Sequence, residues 1–384
     1  MRSRPTSVPV AGQTRALASI SPDLGIIRAV QRRFATTATH PLVVLAVLAA
    51  LALGGLALGG SGGSSSSTSS SSGGSGGSTH GSASKNSGQS VLRAVSAASL
   101  GTLPGALQDA AVAPLGDGRL VLLGGIDSSG NSTNAITILN GGSATQHGTL
   151  TIAQHDAQAA TLGASVYVFG GGQVDSYDHV LRYDPASATV TPAGALPTPA
   201  SDVAVVSSGT TAYIVGGYTG VAPLDTILAW TPGAAARVAG HLPAGLRYAA
   251  VAVAGSRLII AGGTETGTVS DAILSFNPAT GAVKPLGHLP APLTHASAAF
   301  IDGRVVVVGG RHAVTGGQTA AILAIDPSTG AVRTVGQLPQ PLSDSAVGIS
   351  GNQIVVAGGE SASGPQSSIL GLTPQVGRSA TNSG

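Results

Sequence analysis

The chain has no cysteine, one tryptophan and one methionine, and only 9% of its 384 residues are charged. Without thiols it can form no disulfide framework, no thiolate zinc or iron–sulfur centre, and no cysteine nucleophile. Aromatic residues reach only 3%, so aliphatic side chains must build the core. Charge is scarce and also unevenly spread. Residues 1–40 hold six Arg against Asp23 alone, whereas from Val91 onward fifteen acids face eleven bases. The bulk of the chain is therefore mildly acidic and offers no basic surface for nucleic acid. Glycine (57) and proline (22) are abundant, and hydrophobic residues make up 42%. That mixture suits many short strands and turns, being too apolar for disorder and too interrupted for a helical bundle.

No Asp, Glu, Lys or Arg occurs between Arg33 and Lys85. Inside this gap, residues 41–59 (PLVVLAVLAALALGGLALG) are almost wholly apolar. As a helix they span roughly 30 Å, the hydrocarbon thickness of a bilayer. Arg28, Arg32 and Arg33 precede the run, which predicts a cytoplasmic basic tail over 1–40 and an extracytoplasmic remainder. A cleaved secretory signal is the rival reading, although the apolar run exceeds the usual length of such a core. Residues 60–90 are dominated by Gly and Ser and read as a disordered tether.

From residue 91 the chain is periodic. Six apolar runs end in a Gly pair: Leu120–Gly125, Val166–Gly171, Ala212–Gly217, Leu258–Gly263, Val305–Gly310 and Ile354–Gly359. The first glycines, at 124, 170, 216, 262, 309 and 358, are 46–49 residues apart. Each repeat adds a strand-like run such as Val180–Pro185, a run before the Gly pair such as Asp202–Val206, and a short Gly-x-Leu element. Four strands per repeat, separated by Gly, Pro and Asp turns, predict an all-β, six-bladed β-propeller over 91–376. Residues 377–384 read as a disordered tail. The Gly-x-Leu element also predicts how the ring closes. Its first copy, at Gly101, precedes any Gly pair, and none follows the last pair. Residues 91–103 should therefore supply the outer strand of the last blade.

These motifs resemble the Kelch family: the Gly pairs, the Tyr183-Asp184-Pro185 of a third strand, and the Leu-Pro before the next blade. The resemblance covers about residues 91–376 and rests on the periodicity more than on any single motif. It departs from the family at the fourth-strand Trp, replaced here by Val190, Val283 and Val332, while the single Trp230 lies in a third strand.

Counting back fourteen residues from each Gly pair, fifteen in the first repeat, reaches Asp109, Asp156, Asp202, Tyr248, His295 and Asp344. These positions should line one mouth of the axial channel as a ligand-binding rim, flanked by His155 and Arg247. Converging carboxylates would raise their own pKa values or recruit a divalent cation; apart from such a cation, no cofactor is expected. Alternatively, each Asp caps backbone N–H groups of its own loop. The loops after the Gly pairs carry Asp175, Tyr177, Tyr218, Glu265, Arg311 and Glu360, which make a second candidate surface. His241 and His288 share the Gly-His-Leu position but lie on outer strands, too far apart for one ion.

No metalloprotease helix motif, phosphate loop or dinucleotide fingerprint occurs, and no catalytic residue is assigned. The expected role is a membrane-anchored extracytoplasmic module binding a protein or glycan, with residues 41–59 in the membrane. The alternative is a mutarotase resembling six-bladed Kelch epimerases, using His295, Glu265 and Arg311 as positioned acid–base groups.

Overall fold

A computed structural model describes residues 90–378. The tail, membrane segment and tether expected over 1–90 lie outside the described residues except for Ser90, which opens a strand. Among those described there is no helix, so none is long and apolar enough to cross a membrane.

Six four-stranded antiparallel sheets form the blades of a propeller. Blade two is typical, running from its inner strand His155–Leu162 through Ser165–Gly172 and His179–Asp184 to the outer Thr189–Ala195. Blade six is completed as the motif count predicts. Its inner strands Ala346–Ser350 and Gln353–Ala357 are followed by Ser368–Arg378, which pairs antiparallel with Ser90–Thr102. Ser90 opposes Arg378 and Thr102 opposes Ser368, so one blade binds both ends of the described chain.

The apolar residues sort into six clusters, each drawn from two neighbouring blades. The core is thus a set of blade-to-blade layers, and the repeated aliphatic runs are what fill it. Every Leu of the Gly-x-Leu element is buried at 2–6% exposure: Leu103, Leu150, Leu196, Leu242, Leu289 and Leu338. Each also donates its N–H to a carbonyl in the loop ahead of a third strand, at 2.6–2.8 Å. Val190, Val283 and Val332, which stand in place of tryptophan, pack at the edges of these clusters. Trp230 is 1% exposed and lies against Tyr167 and Phe169 of blade two, with ring centroids 4.9 and 5.3 Å away.

The Gly pairs hold neighbouring blades together. In all six, the second glycine donates its N–H to a carbonyl two residues ahead of a counted-back position in the next blade. The bonds are Gly125 to Gln154, Gly171 to Ala200, Gly217 to Leu246, Gly263 to Leu293, Gly310 to Leu342 and Gly359 to Leu107, at 2.8–2.9 Å. The first glycine of each pair has φ between +60° and +69°, and a Cβ there would lie closer than 3.0 Å to that same carbonyl oxygen. The motif therefore answers two requirements at once, a left-handed backbone and room for the adjoining blade.

Candidate functional site

The clasps deliver the six counted-back residues to the axis. Asp109, Asp156, Asp202, Tyr248, His295 and Asp344 all have φ of 54–58°, and they account for six of the eight non-Gly left-handed residues described. For Tyr and His this conformation is strained. Inter-blade hydrogen bonding holds it in place. Asp156 donates its N–H to Asp109, Asp202 to Asp156, Tyr248 to Asp202, His295 to Tyr248, Asp344 to His295, and Asp109 to Asp344, at 2.9–3.2 Å. The six amides thus form one closed cycle around the axis, satisfying twelve backbone polar groups that would otherwise be orphaned.

The side chains converge as well. Arg247 Nη1 donates to Asp202 Oδ2 at 2.9 Å; the Asp202 side chain is 3% exposed. Arg311 Nη2 donates to Asp344 Oδ2 and, at 2.9 Å, pairs with Glu360 Oε2. Ser343 Oγ donates to the same Asp344 oxygen at 2.6 Å. Gln108 Nε2 donates to Asp109 Oδ2 at 3.0 Å, and Tyr248 Oη reaches Asp156 Oδ2 at 3.2 Å. The Tyr248 ring stacks on His295 with centroids 3.7 Å apart. Arg247 also lies over the Tyr218 ring, 4.3 Å from its centroid.

None of the four ring Asp caps its own loop, because their side-chain partners are other side chains. The contacts thus differ from the own-loop capping alternative. Burial pushes Asp109 well above the usual carboxylate range, reinforced by Asp344 and Asp156. Burial does the same to Asp156, with Asp202 and Asp344 adding to it. The Tyr248 hydroxyl is likewise pushed up by burial and then by the carboxylates around it. Burial brings His295 down to about 4; Asp344 opposes this, while Arg311 and Arg247 assist. His155, with Nδ1 2.8 Å from Ser132 Oγ, is also lowered by burial. Among the described residues, no group of three or more His, Asp or Glu is arranged to hold a metal ion.

The sign of the His295 shift sets an acid limb. Its folded pKa lies below the unfolded value, so its contribution is complete above about pH 6.5 and is lost as pH falls through about 4. The full shift corresponds to a loss of about 3 kcal/mol. His295→Asn, which tolerates the left-handed backbone, should give a shallower fall of Tm between those pH values than the parent. An unchanged limb in a pH-resolved melting series would contradict this assignment.

Of the loop candidates, Arg311 reaches the ring at Asp344, while Tyr218 and Glu360 meet the two arginines that do so, Arg247 and Arg311. The other three stay outside the ring. Tyr177 packs on His179 at 5.0 Å, Asp175 is exposed, and the Glu265 backbone closes a turn with Thr268. Gln108 and Ser343 were not among the sequence candidates, although each directly precedes a ring residue. Applying the repeat period to that adjacent position would have found them. His241 and His288 each bond an Asp of their own blade, Asp225 at 3.2 Å and Asp271 at 3.0 Å.

A channel of about 330 Å³ runs along the axis. Its walls come from the inner strands, including Val112, Ala159, Val205, Val251, Ala298 and Val347, and the six ring residues line its end. Arg247, Arg311, His155 and Glu360 are not part of this lining. They sit beside the ring on its loop side, a group we call the cup, where His155, Arg247 and Arg311 meet Asp156, Asp202 and Asp344 and Glu360 meets Arg311.

No family model and no curated protein matches the chain. Among solved structures, that of YjhT superposes with a TM-score of 0.63 at 16% identity, covering 72% of this chain and 99% of that one. The likeness is one of fold. YjhT spans the whole of its own length on this propeller and therefore supports the blade count independently of the repeat arithmetic. At this identity it assigns no activity to the ring.

Proposed function

We propose that this protein is a Kelch-type interaction module that binds a protein or glycan on the loop face of its ring. Residues 41–59 would hold it in the membrane, with the propeller on the extracytoplasmic side. The carrying observation is the make-up of that face. It joins a polar cup of Arg247, Tyr218, Arg311 and Glu360 to the most exposed aliphatic side chains described, Val174 at 96% and Val221 at 87%. These two valines sit on equivalent loops of adjacent blades, and Ile152, at 41%, lies on a neighbouring connection of the same face. Polar groups surrounded by apolar tips on a rigid frame suit recognition of a polar, partly apolar partner. The chain direction supports display of this face. Inner strands begin at the ring and run away from it, and Ser90 pairs with Arg378 at the far end of blade six. Ser90, the first described residue, thus lies at the end of the propeller opposite the ring.

The test is retention of partners from glycan arrays and surface-protein extracts by the purified protein, compared with a Val174→Ser/Val221→Ser/Tyr218→Ala variant. The expected result is at least about tenfold weaker binding for the variant, since each aliphatic or aromatic anchor contributes of the order of 1 kcal/mol. Equal retention by parent and variant would remove the cup from the reading.

One observation favours a mutarotase as the second reading. His295 is neutral at pH 7, its buried Nδ1 has no partner, and it stacks on Tyr248 amid carboxyl groups. The backbone of Glu265, the other acid expected in that role, closes a turn with Thr268. Anomer exchange of free sugars followed by NMR, present in the parent and absent in His295→Ala, would support catalysis over binding alone.

A further inference from the structure

Among the described residues, Ser132 is the one serine or threonine whose hydroxyl is bonded to an imidazole, its Oγ lying 2.8 Å from His155 Nδ1. The pair bridges blades one and two on the loop side of the ring. Ser132 closes a bridge with Ile126 after the first Gly pair, and His155 opens the inner strand of blade two, directly before the ring residue Asp156. The turn that carries Ser132 is fixed locally. Asp127 Oδ1 accepts the N–H groups of Ser129 and Asn131 at 2.8 and 3.0 Å, and Thr133 donates its N–H to Gly125 at 2.9 Å. The other side of the imidazole meets the ring, with Nε2 3.5 Å from Asp156 Oδ2. That oxygen already accepts the Tyr248 hydroxyl. The hydrogen of neutral His155 therefore belongs on Nε2, and Nδ1 is left to accept from Ser132. A hydroxyl, a base beside it and a third group orienting the base make the arrangement of an activated nucleophile. The repeat shows that the fold does not require this pair. At the equivalent positions the next three junctions hold Ser176 and Ser201, Pro223 and Arg247, and Val269 and Thr294.

We propose that Ser132 is a nucleophile for acyl transfer, with His155 as its general base and Asp156 as the residue positioning that base, and that the substrate is a small carboxylic ester. Ser132 Oγ attacks the ester carbonyl carbon while its proton passes to His155 Nδ1. The bond between that carbon and the alcohol oxygen breaks, and the alcohol leaves with the proton. Water then attacks the acyl group on Ser132 and gives a proton to Nδ1. The carboxylic acid departs as Ser132 Oγ takes that proton back. Water is the only co-reactant. Ser132 and His155 are both half-buried, so they are held in place yet remain open to a small acyl group from the loop side. His155 is neutral at neutral pH, as a base must be, because burial lowers its pKa against the opposing charge of Asp202. An ester suits the geometry better than an amide. The 3.5 Å approach of Asp156 orients the base only loosely, and an alcohol leaves more readily than an amine.

The experiment uses the full chain. A fluorophosphonate reagent, which couples to activated serine oxygens, should label the parent at Ser132 on peptide mapping, and the parent should hydrolyse p-nitrophenyl acetate. Ser132→Ala and His155→Gln should each lose at least about 100-fold in kcat/KM. Ser129→Ala, which alters an exposed serine of the same turn, should keep the parent rate. The parent rate should fall as pH drops below about 6.5 and His155 takes up a proton. Asp156→Asn should lower kcat with KM unchanged, the mark of a group acting through the base. Labelling of the parent needs no variant and decides even where one fails to fold. A parent without label on Ser132 would overturn the proposal, as would hydrolysis by Ser132→Ala at the parent rate. A change in KM alone for Asp156→Asn would overturn the positioning role.

Discussion

Gly216→Ala is expected to cost about 4 kcal/mol, which for a domain of this size lowers Tm by about 10 °C. The added Cβ meets the Leu246 carbonyl oxygen of the next blade at under 3.0 Å, and that oxygen already accepts the Gly217 N–H at 2.9 Å. Two costs combine. A left-handed backbone in an L-residue costs roughly 1–2 kcal/mol, and overpacking against a fixed backbone adds roughly 1–3 kcal/mol. Gly209 separates them, because it has the same φ of +60° but no atom within 4 Å of its would-be Cβ. Gly209→Ala should therefore show only the first cost. If the two variants melt together, the clasp is not the reason for the glycine pair. The consequence reaches the candidate site, since the clasped segment Leu246–Tyr248 carries both Arg247 and a ring residue.

The second large effect is expected at Arg311. Its side chain is 14% exposed and bridges Asp344, itself 2% exposed, to Glu360 of the same blade. Burial works against its charge, yet the Asp344 carboxylate beside it holds the guanidinium more firmly protonated. Arg311→Met would leave a buried carboxyl without its cation next to Asp109, a loss of about 3–5 kcal/mol. Adding Asp344→Asn removes the stranded charge and should recover more than half of that loss. Arg119, paired with Asp117 at 2.6 Å on the surface, serves as the comparison. Its replacement by Met should leave the melting curve unchanged. Denaturant unfolding of the four proteins measures all of these outcomes. An Arg311→Met curve that overlays the Arg119→Met curve would mean that the ring tolerates an unpaired carboxyl, and the electrostatic account of the axis would fail.

Both results bear on what the cup can do. A ring fixed by amides, a stack and two ion pairs is preorganised, so a ligand meeting Arg247, Tyr218 or Glu360 would find side chains already ordered. The same rigidity limits adaptation. Partner discrimination is therefore expected from the loop tips around Val174 and Val221 more than from the axis.

The repeat was readable in the chain because each blade must meet the same local demands. Gly216 and its five counterparts recur wherever the next blade crosses too closely for a Cβ. Leu196 and its counterparts recur wherever one side chain must fill the layer between two sheets. The Gly-x-Leu count alone placed residues 91–103 in the last blade, because a blade lacking its outer strand would leave an unpaired edge. Counting back from the glycines reached the axis for the same reason: equal repeats put equal positions on the axis. The interactions made there were not readable in this way. The partners of Asp344 come from Arg311, in the preceding blade, and from Ser343 beside it, while Asp156 meets Tyr248 across an intervening blade. Those contacts depend on distances around a ring, which no linear spacing encodes. Whether an aspartate caps its own turn or faces another carboxyl depends on which groups the neighbouring blades bring within reach. Sequence thus determined the number of blades, their closure and the positions that face the axis. The tertiary structure decided which side chains meet there and which carboxyl groups find a guanidinium partner, because contacts and burial act through space and not along the chain.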